Sequence, residues 1–189
     1  MKAYNWCCGK LAPRKPMKQI LLIGLDYSGK TTMIKRFHAI NSTNEIKQGE
    51  SELIMTTPFI NVETVKWQSD EVIVYDMSGQ GRYREGWSFF YPEIDGIMFV
   101  VDCSDTDRLT INMEILHELA RHPGLARRFI PITILANKAD VDGAINGRQL
   151  AKAIHLDDLR SINPCLTWSI TETVGITGKG VERCFGLLT

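Results

Sequence analysis

The 189-residue sequence has no apolar run long enough to cross a bilayer; its longest, Ile97 to Val101, is far short of the roughly 18 residues a spanning helix needs. The N-terminus holds no apolar core of a secretory signal. Excess charge of one sign is also missing: 22 basic residues balance 22 acidic ones, so no global positive field recruits nucleic acid. The five cysteines show neither CxxC nor Cys/His ligand spacing and read as free thiols of a reducing compartment. His38, His117, His122 and His155 likewise lack metal-ligand spacing. A single cytosolic domain is the expected class, and its length needs no disulfide or metal staple.

Charge balance hides one asymmetry. Residues 1–18 carry Lys2, Lys10, Arg14, Lys15 and Lys18 with no carboxylate, and Pro13 and Pro16 interrupt them. Residues 1–17 therefore read as a basic arm and linker, and residues 18–189 as the folded domain. Short apolar runs then alternate with amphipathic segments. The runs are Gln19–Gly24, Ile60–Trp67, Val72–Asp76, Ile97–Asp102, Ile132–Ala136 and Leu166–Ile170. The amphipathic stripes are Met33/Phe37/Ile40, Ile111/Ile115/Leu119, Leu150/Ile154 and Cys184/Leu187/Leu188. This rhythm predicts an α/β fold: a mostly parallel six-stranded sheet with helices on both faces and ligands at the strands' carboxyl ends. Residues 41–55, polar and without period, read as a long loop.

Three motifs sit where strands end. Gly24-Leu-Asp-Tyr-Ser-Gly-Lys-Thr31 matches GxxxxGK[ST] between a strand and a helix. Its glycines let backbone N–H groups turn onto phosphate oxygens at a helix N-terminus. Lys30 would bridge the β- and γ-phosphates and the Thr31 hydroxyl would coordinate Mg²⁺. Asp26, Ser28, Gly29 and Thr32 join them as expected nucleotide-binding residues. Asp76-Met-Ser-Gly79-Gln80 follows another strand: Asp76 suits Mg²⁺ through a water, the Gly79 N–H suits the γ-phosphate, and the Gln80 amide could hold an attacking water in line. In Asn137-Lys138-Ala-Asp140, a carboxylate can accept both N1–H and N2–H₂ of guanine, a pair adenine cannot offer. Asn137 can meet the base's acceptor edge and the Lys138 stem can pack along the ring. Taken in this order, the motifs select GTP over ATP.

Motifs of this order and spacing resemble the Ras-type small GTPases from Lys18 onward. Gly-Leu-Asp-x-x-Gly-Lys-Thr-Thr, Asn61-Val62-Glu63-Thr64 and Trp87…Phe90-Tyr91 resemble the Arf and Arf-like branch. The stretch Asp76-Met-Ser-Gly-Gln-Gly-Arg-Tyr-Arg84, with His122-Pro123 and Arg128-Phe-Ile-Pro131, is similar to the ciliary Arf-like GTPase of the Bardet–Biedl system. That resemblance implies a GTP/GDP switch with slow intrinsic hydrolysis, catalysed around Gln80. It implies recruitment of an effector or coat, the BBSome, to membranes at the base of the cilium. An exchange factor and a GTPase-activating protein would be further partners, and the chain would be monomeric.

The sequence also departs from the family. The switch threonine, a Mg²⁺ and γ-phosphate ligand, falls on Thr57 with Thr56 as the alternative; Pro58 follows it instead of preceding it, and Phe59 replaces a usual glycine. The base-contacting fifth motif is placed at Thr171-Glu172-Thr173, with the Glu172 backbone N–H as donor. Lys2 stands where myristoylated relatives carry glycine, so a membrane contact would rest on residues 1–17, with Cys7 and Cys8 as candidates for palmitoylation. The chain is expected to end a turn or two before the family's last helix does. Hydrolysis-deficient GTP binding and a general Arf-like trafficking role stand as the alternatives. Arg82 and Arg84 read as solvated or partner-facing, with any arginine finger coming from an activating partner. Trp67, Tyr83 and Trp87 fit a partner surface that nucleotide exposes, with Trp67 and Trp87 fitting the core equally well.

Overall fold

The computed structural model describes residues 17–41, 59–68 and 70–187. Six strands form one sheet: β1 (Lys18–Gly24), β2 (Ile60–Trp67), β3 (Asp70–Met77), β4 (Gly96–Asp102), β5 (Ile130–Asn137) and β6 (Leu166–Glu172). Their order across the sheet is β2-β3-β1-β4-β5-β6. All pairings are parallel except β2 with β3, which run antiparallel from Ile60↔Met77 to Trp67↔Asp70. Each of the six apolar runs in the sequence became a strand, most of them one to three residues longer than their apolar part.

The central strands are apolar throughout because both their faces are covered. Leu21 and Ile23 of β1 enter one core with Phe99, Ile132 and Leu116, while Ile20 and Leu22 enter the other with Met33, Phe37 and Phe185. Helices α1 (Lys30–Asn41) and α5 (Val181–Gly186) cover the second face; α2 (Leu109–Arg121), α3 (Gly147–Ala153) and α4 (Leu156–Ile162) cover the first. Edge strand β2 differs: only Val65 is buried, and Val62 is exposed.

The helical stripes needed adjusting. In α1, Ile34 is buried beside Met33 and Phe37, while Ile40 is exposed. In α2 the buried line runs Asn112, Leu116, Leu119 and Ala120, leaving Ile111 exposed. Asn112 hides on the core side because its Nδ2 donates to the Arg108 carbonyl at 2.9 Å, a local bond that no apolar pattern announces. His155, held left-handed at φ 53°, separates α3 from an α4 the sequence had not suggested. In α5, Val181, Cys184 and Phe185 are buried and Leu187 is exposed; Leu188 lies outside the described residues. Phe185 stacks on Phe37 with ring centroids 3.8 Å apart, and Trp67 packs 5.7 Å from the same Phe37 ring.

Since β1 has a parallel neighbour on each side, reached by connections over opposite faces, a crevice opens above its carboxyl end. That crevice holds the site. No helix of the described residues is long and apolar enough to cross a membrane. Residues 1–16 of the expected arm at 1–17, Cys7 and Cys8 included, and residues 42–58, which contain Thr56 and Thr57, lie outside the described residues.

Candidate nucleotide site

One cavity of about 340 Å³ lies over the carboxyl ends of the strands, with walls from all three motifs. Its phosphate end is the loop between β1 and α1. Gly29 takes φ 98°, and a Cβ there would sit 2.3 Å from Asn137 Nδ2, so only glycine permits the turn and the close approach together. Lys30 is buried under the loop, its Nζ donating to the carbonyls of Gly24 at 3.0 Å and Leu25 at 2.7 Å. Burial pulls the pKa of Lys30 down to about 8, against the pull of Asp76 and Asp26. The Thr31 hydroxyl donates to Asp76 Oδ2 at 2.6 Å, placing the two expected metal ligands side by side. Both offer hard oxygen donors, the chemistry Mg²⁺ takes. Thr32, Gly79 and Gln80 complete this wall.

Of the two arginines in the segment after β3, Arg82 is exposed, as the solvated reading expected, while Arg84 is partly buried and bonded inside the molecule. The segment, a 3-10 helix over Gly81–Phe89, keeps them close to the cavity rim. Arg82 donates to Gln80 Oε1 at 3.1 Å and lies 4.7 Å over the Tyr83 ring. Arg84 donates through Nε to the Gly79 carbonyl at 2.9 Å. Neither side chain is among the described residues that line the cavity. Trp87 resolves toward the core: it is 2% exposed, and its Nε1 donates to the Ser78 carbonyl at 3.0 Å. Trp67 also packs inward, whereas Tyr83 is half-buried edge-on against Phe59.

The base end is a scaffold of hydrogen bonds. Asn137, nearly fully buried, donates from Nδ2 to the Ser28 carbonyl at 2.7 Å. Its Oδ1 accepts from the Gly175 N–H at 3.0 Å and the Thr173 hydroxyl at 3.3 Å. One side chain thus ties the phosphate loop to the loop after β6, a bracing role beyond the expected contact with the base. Lys138, left-handed at φ 59°, donates to Asp102 Oδ2 at 2.6 Å and lays its stem along the cavity. Burial pushes the Asp102 carboxyl up, but bonds from Lys138 and Ser104 outweigh it and hold the pKa below the ordinary value. Asp140 is exposed on the turn after β5 and lines the same end.

Two expected residues are not part of the wall. Ser28 is fully buried, with its hydroxyl on the Leu25 carbonyl at 2.8 Å, so it shapes the loop from behind. Glu172 turns its carboxylate to the first N–H of α3, at Gly147, 2.8 Å away. An anionic oxygen is favourable at a helix start, and this draws the side chain away from the cavity. The base-side wall after β6 instead comes from Val174, Gly175 and Ile176. Strand register could have shown this: Ala136 pairs with Glu172, so Asn137 stands level with Thr173, and the loop it can reach begins beyond that residue. Tyr27, Ser78 and Val141 also line the cavity without having been anticipated.

Residues 7–189 match the model of the ADP-ribosylation factor family. The chain belongs to that family. It is therefore an Arf-like small GTPase, of a family of GTP hydrolases, as the sequence motifs implied. ADP-ribosylation factor-like protein 6 of Danio rerio is 32% identical over 181 residues, covering 96% of this chain and 91% of that protein. ADP-ribosylation factor-like protein 5 of Caenorhabditis elegans is also 32% identical over 181 residues, covering 95% of this chain and 89% of that one. Among solved structures, the Arl6/BBS3 small GTPase of Trypanosoma brucei, with the nucleotide analogue GppNp bound, superposes with a TM-score of 0.77. It is 30% identical, and the match covers 92% of this chain and 95% of that one. The likeness to ADP-ribosylation factor-like protein 6 thus extends to both sequence and fold.

Proposed function

We propose that the cavity binds GDP and GTP with Mg²⁺ and that exchange between them switches the surface around β2, β3 and the Gly81–Phe89 segment. The observation that carries this is the shared cavity: Lys30, Thr31 and Gly79 line one end, and Asn137, Lys138 and Asp140 the other. Lys30, held near the loop carbonyls, would turn its ammonium to the β- and γ-phosphates. Thr31 would hold Mg²⁺ directly and Asp76 through water, with Thr57 as the further ligand; the ion neutralises phosphate charge when bound. Asp26, Gly29 and Thr32 frame the phosphates, and Asp140 accepts from the guanine edge. The Gly175 N–H already goes to Asn137, so the base contact expected of Glu172 passes to the Val174–Ile176 loop as a whole.

Gln80 orients the attacking water, and with no arginine among the described residues of the cavity wall the intrinsic rate is slow, the activating group coming from a partner. The GTP form recruits a membrane coat of BBSome type at the cilium. Supporting this are the Asp76–Arg84 stretch and the match, over nearly the whole chain, to proteins named ADP-ribosylation factor-like 6 and BBS3. A general trafficking role has its own support in the equal identity to an ADP-ribosylation factor-like protein 5. The basic arm at residues 1–17 supplies a membrane contact. Chromatography of nucleotide released when the purified protein is denatured tests the central reading. GDP or GTP in near-equimolar yield supports it, and an adenine nucleotide overturns it.

A further inference from the structure

Asp26 is where the phosphate loop meets both neighbouring segments. Arg108, just ahead of α2, donates from Nη1 to Asp26 Oδ1 at 3.1 Å and to the Asp26 carbonyl at 3.3 Å. It is itself anchored, through Nε, to Asp105 Oδ2 at 2.6 Å. Arg84 comes from the other side of the crevice, with Nη2 3.8 Å from the same Asp26 Oδ1 and Nε bonded to the Gly79 carbonyl. Between them, Gly79 is pressed onto the loop. A Cβ added there would lie 2.3 Å from both the Asp26 nitrogen and the Leu25 carbonyl carbon, and 2.5 Å from the Gly24 oxygen. A contact that excludes a methyl group excludes a tetrahedral phosphate between the same two backbones.

We infer that Arg84 sets the preference between a nucleoside diphosphate and a triphosphate, by clamping Gly79 and Asp26 together in the arrangement that a third phosphate has to open. The inference rests on the guanine-nucleotide reading of this cavity. Arg84 is a positioning residue: it holds the glycine whose N–H meets the γ-phosphate, without touching phosphate itself. The guanidinium suits the task because one planar fork can face a carbonyl and a carboxylate at once. Arg108 provides an internal comparison, since it holds the same carboxylate yet has no bond to Gly79.

Affinities for labelled GDP and for a non-hydrolysable GTP analogue, both with Mg²⁺, test this in the wild type and three variants. Arg84→Ala is expected to raise the triphosphate-to-diphosphate affinity ratio about ten-fold or more, the scale of one charge-assisted bond with a small addition from a partly exposed ion pair. Arg84→Lys keeps the charge but not the fork and should raise the ratio less. Arg108→Ala is expected to lower both affinities by the same factor. A ratio that is unchanged or lowered in Arg84→Ala overturns the inference, and so does an equal rise in Arg108→Ala. A wild type that binds neither guanine nucleotide removes the functional reading and the inference together. One that binds both, with an unmoved ratio in Arg84→Ala, removes the inference alone.

Discussion

The two ends of the cavity are built on opposite principles. At the base end, Asn137 and Lys138 are bonded to protein partners on every side: two loops and the Asp102 carboxylate. At the phosphate end, Lys30 is turned onto its own loop, Thr31 onto Asp76, and Arg84 onto Gly79. On the proposed function, those groups exchange protein partners for phosphate and metal. The proposal then gives the base a preorganised address at one end, and lets exchangeable bonds at the other respond to how many phosphates are present.

Substitution at each end separates these roles, and the largest effect is expected from the lysine. Lys30→Met removes a buried cation that serves phosphate, so GDP affinity should fall about 100-fold or more, while the melting temperature of the free protein stays level or rises. Asn137→Ala should do the reverse to the free protein. Losing three bonds between three loops costs about 2 kcal/mol or more, which lowers the melting temperature by roughly 4–8 °C, and binding weakens with it. Calorimetric melting and fluorescent-nucleotide titration read both quantities. Equal destabilisation by the two variants would break the distinction between the ends.

Legibility in the sequence followed the same divide. Parallel strands buried on two faces declare themselves as apolar runs, so the sheet was readable. The phosphate loop was too, because glycine, lysine and threonine have few other reasons for that spacing. Beyond β6 the cavity wall lies two to four residues past Glu172. That wall is a small-residue backbone segment positioned by strand register, and Glu172 is occupied with the start of α3. The links from Arg84 and Arg108 to Asp26 were invisible because they join residues 58 and 82 positions apart through the fold alone. The α2 stripe failed at Asn112, where a polar side chain bonded to its own helix occupies a core position.

A second, smaller effect sharpens the account of the phosphate end. Single-turnover phosphate release should fall about ten-fold or more in Gln80→Leu, which keeps the bulk of the side chain and loses the amide that orients water. A variant with the wild-type rate would remove Gln80 from the reaction.

The smallest effect is a pH dependence. Lys30 titrates at about 8 in the free protein, and adjacent phosphates favour its ammonium form. The complex therefore holds more protons above that pH, and affinity falls as pH rises. Between pH 7.5 and 8.5 the loss should be about three-fold, and absent in Lys30→Met. Stability of the free protein moves the other way. The unfolded lysine titrates near 10.5, so between about pH 8 and 10.5 the unfolded state binds more protons and stability rises with pH. Titration calorimetry and denaturant unfolding at several pH values check the two slopes.

Competition between labelled GTP and unlabelled ATP for the wild-type protein, with Mg²⁺ present, bears most directly on the claim that a preformed base end reads guanine above an adaptable phosphate end. A site that pairs a carboxylate with two guanine N–H groups should hold GTP at least about 100-fold more tightly than ATP, because adenine leaves that carboxylate without its donors. ATP binding as tightly as GTP, or more tightly, would contradict it.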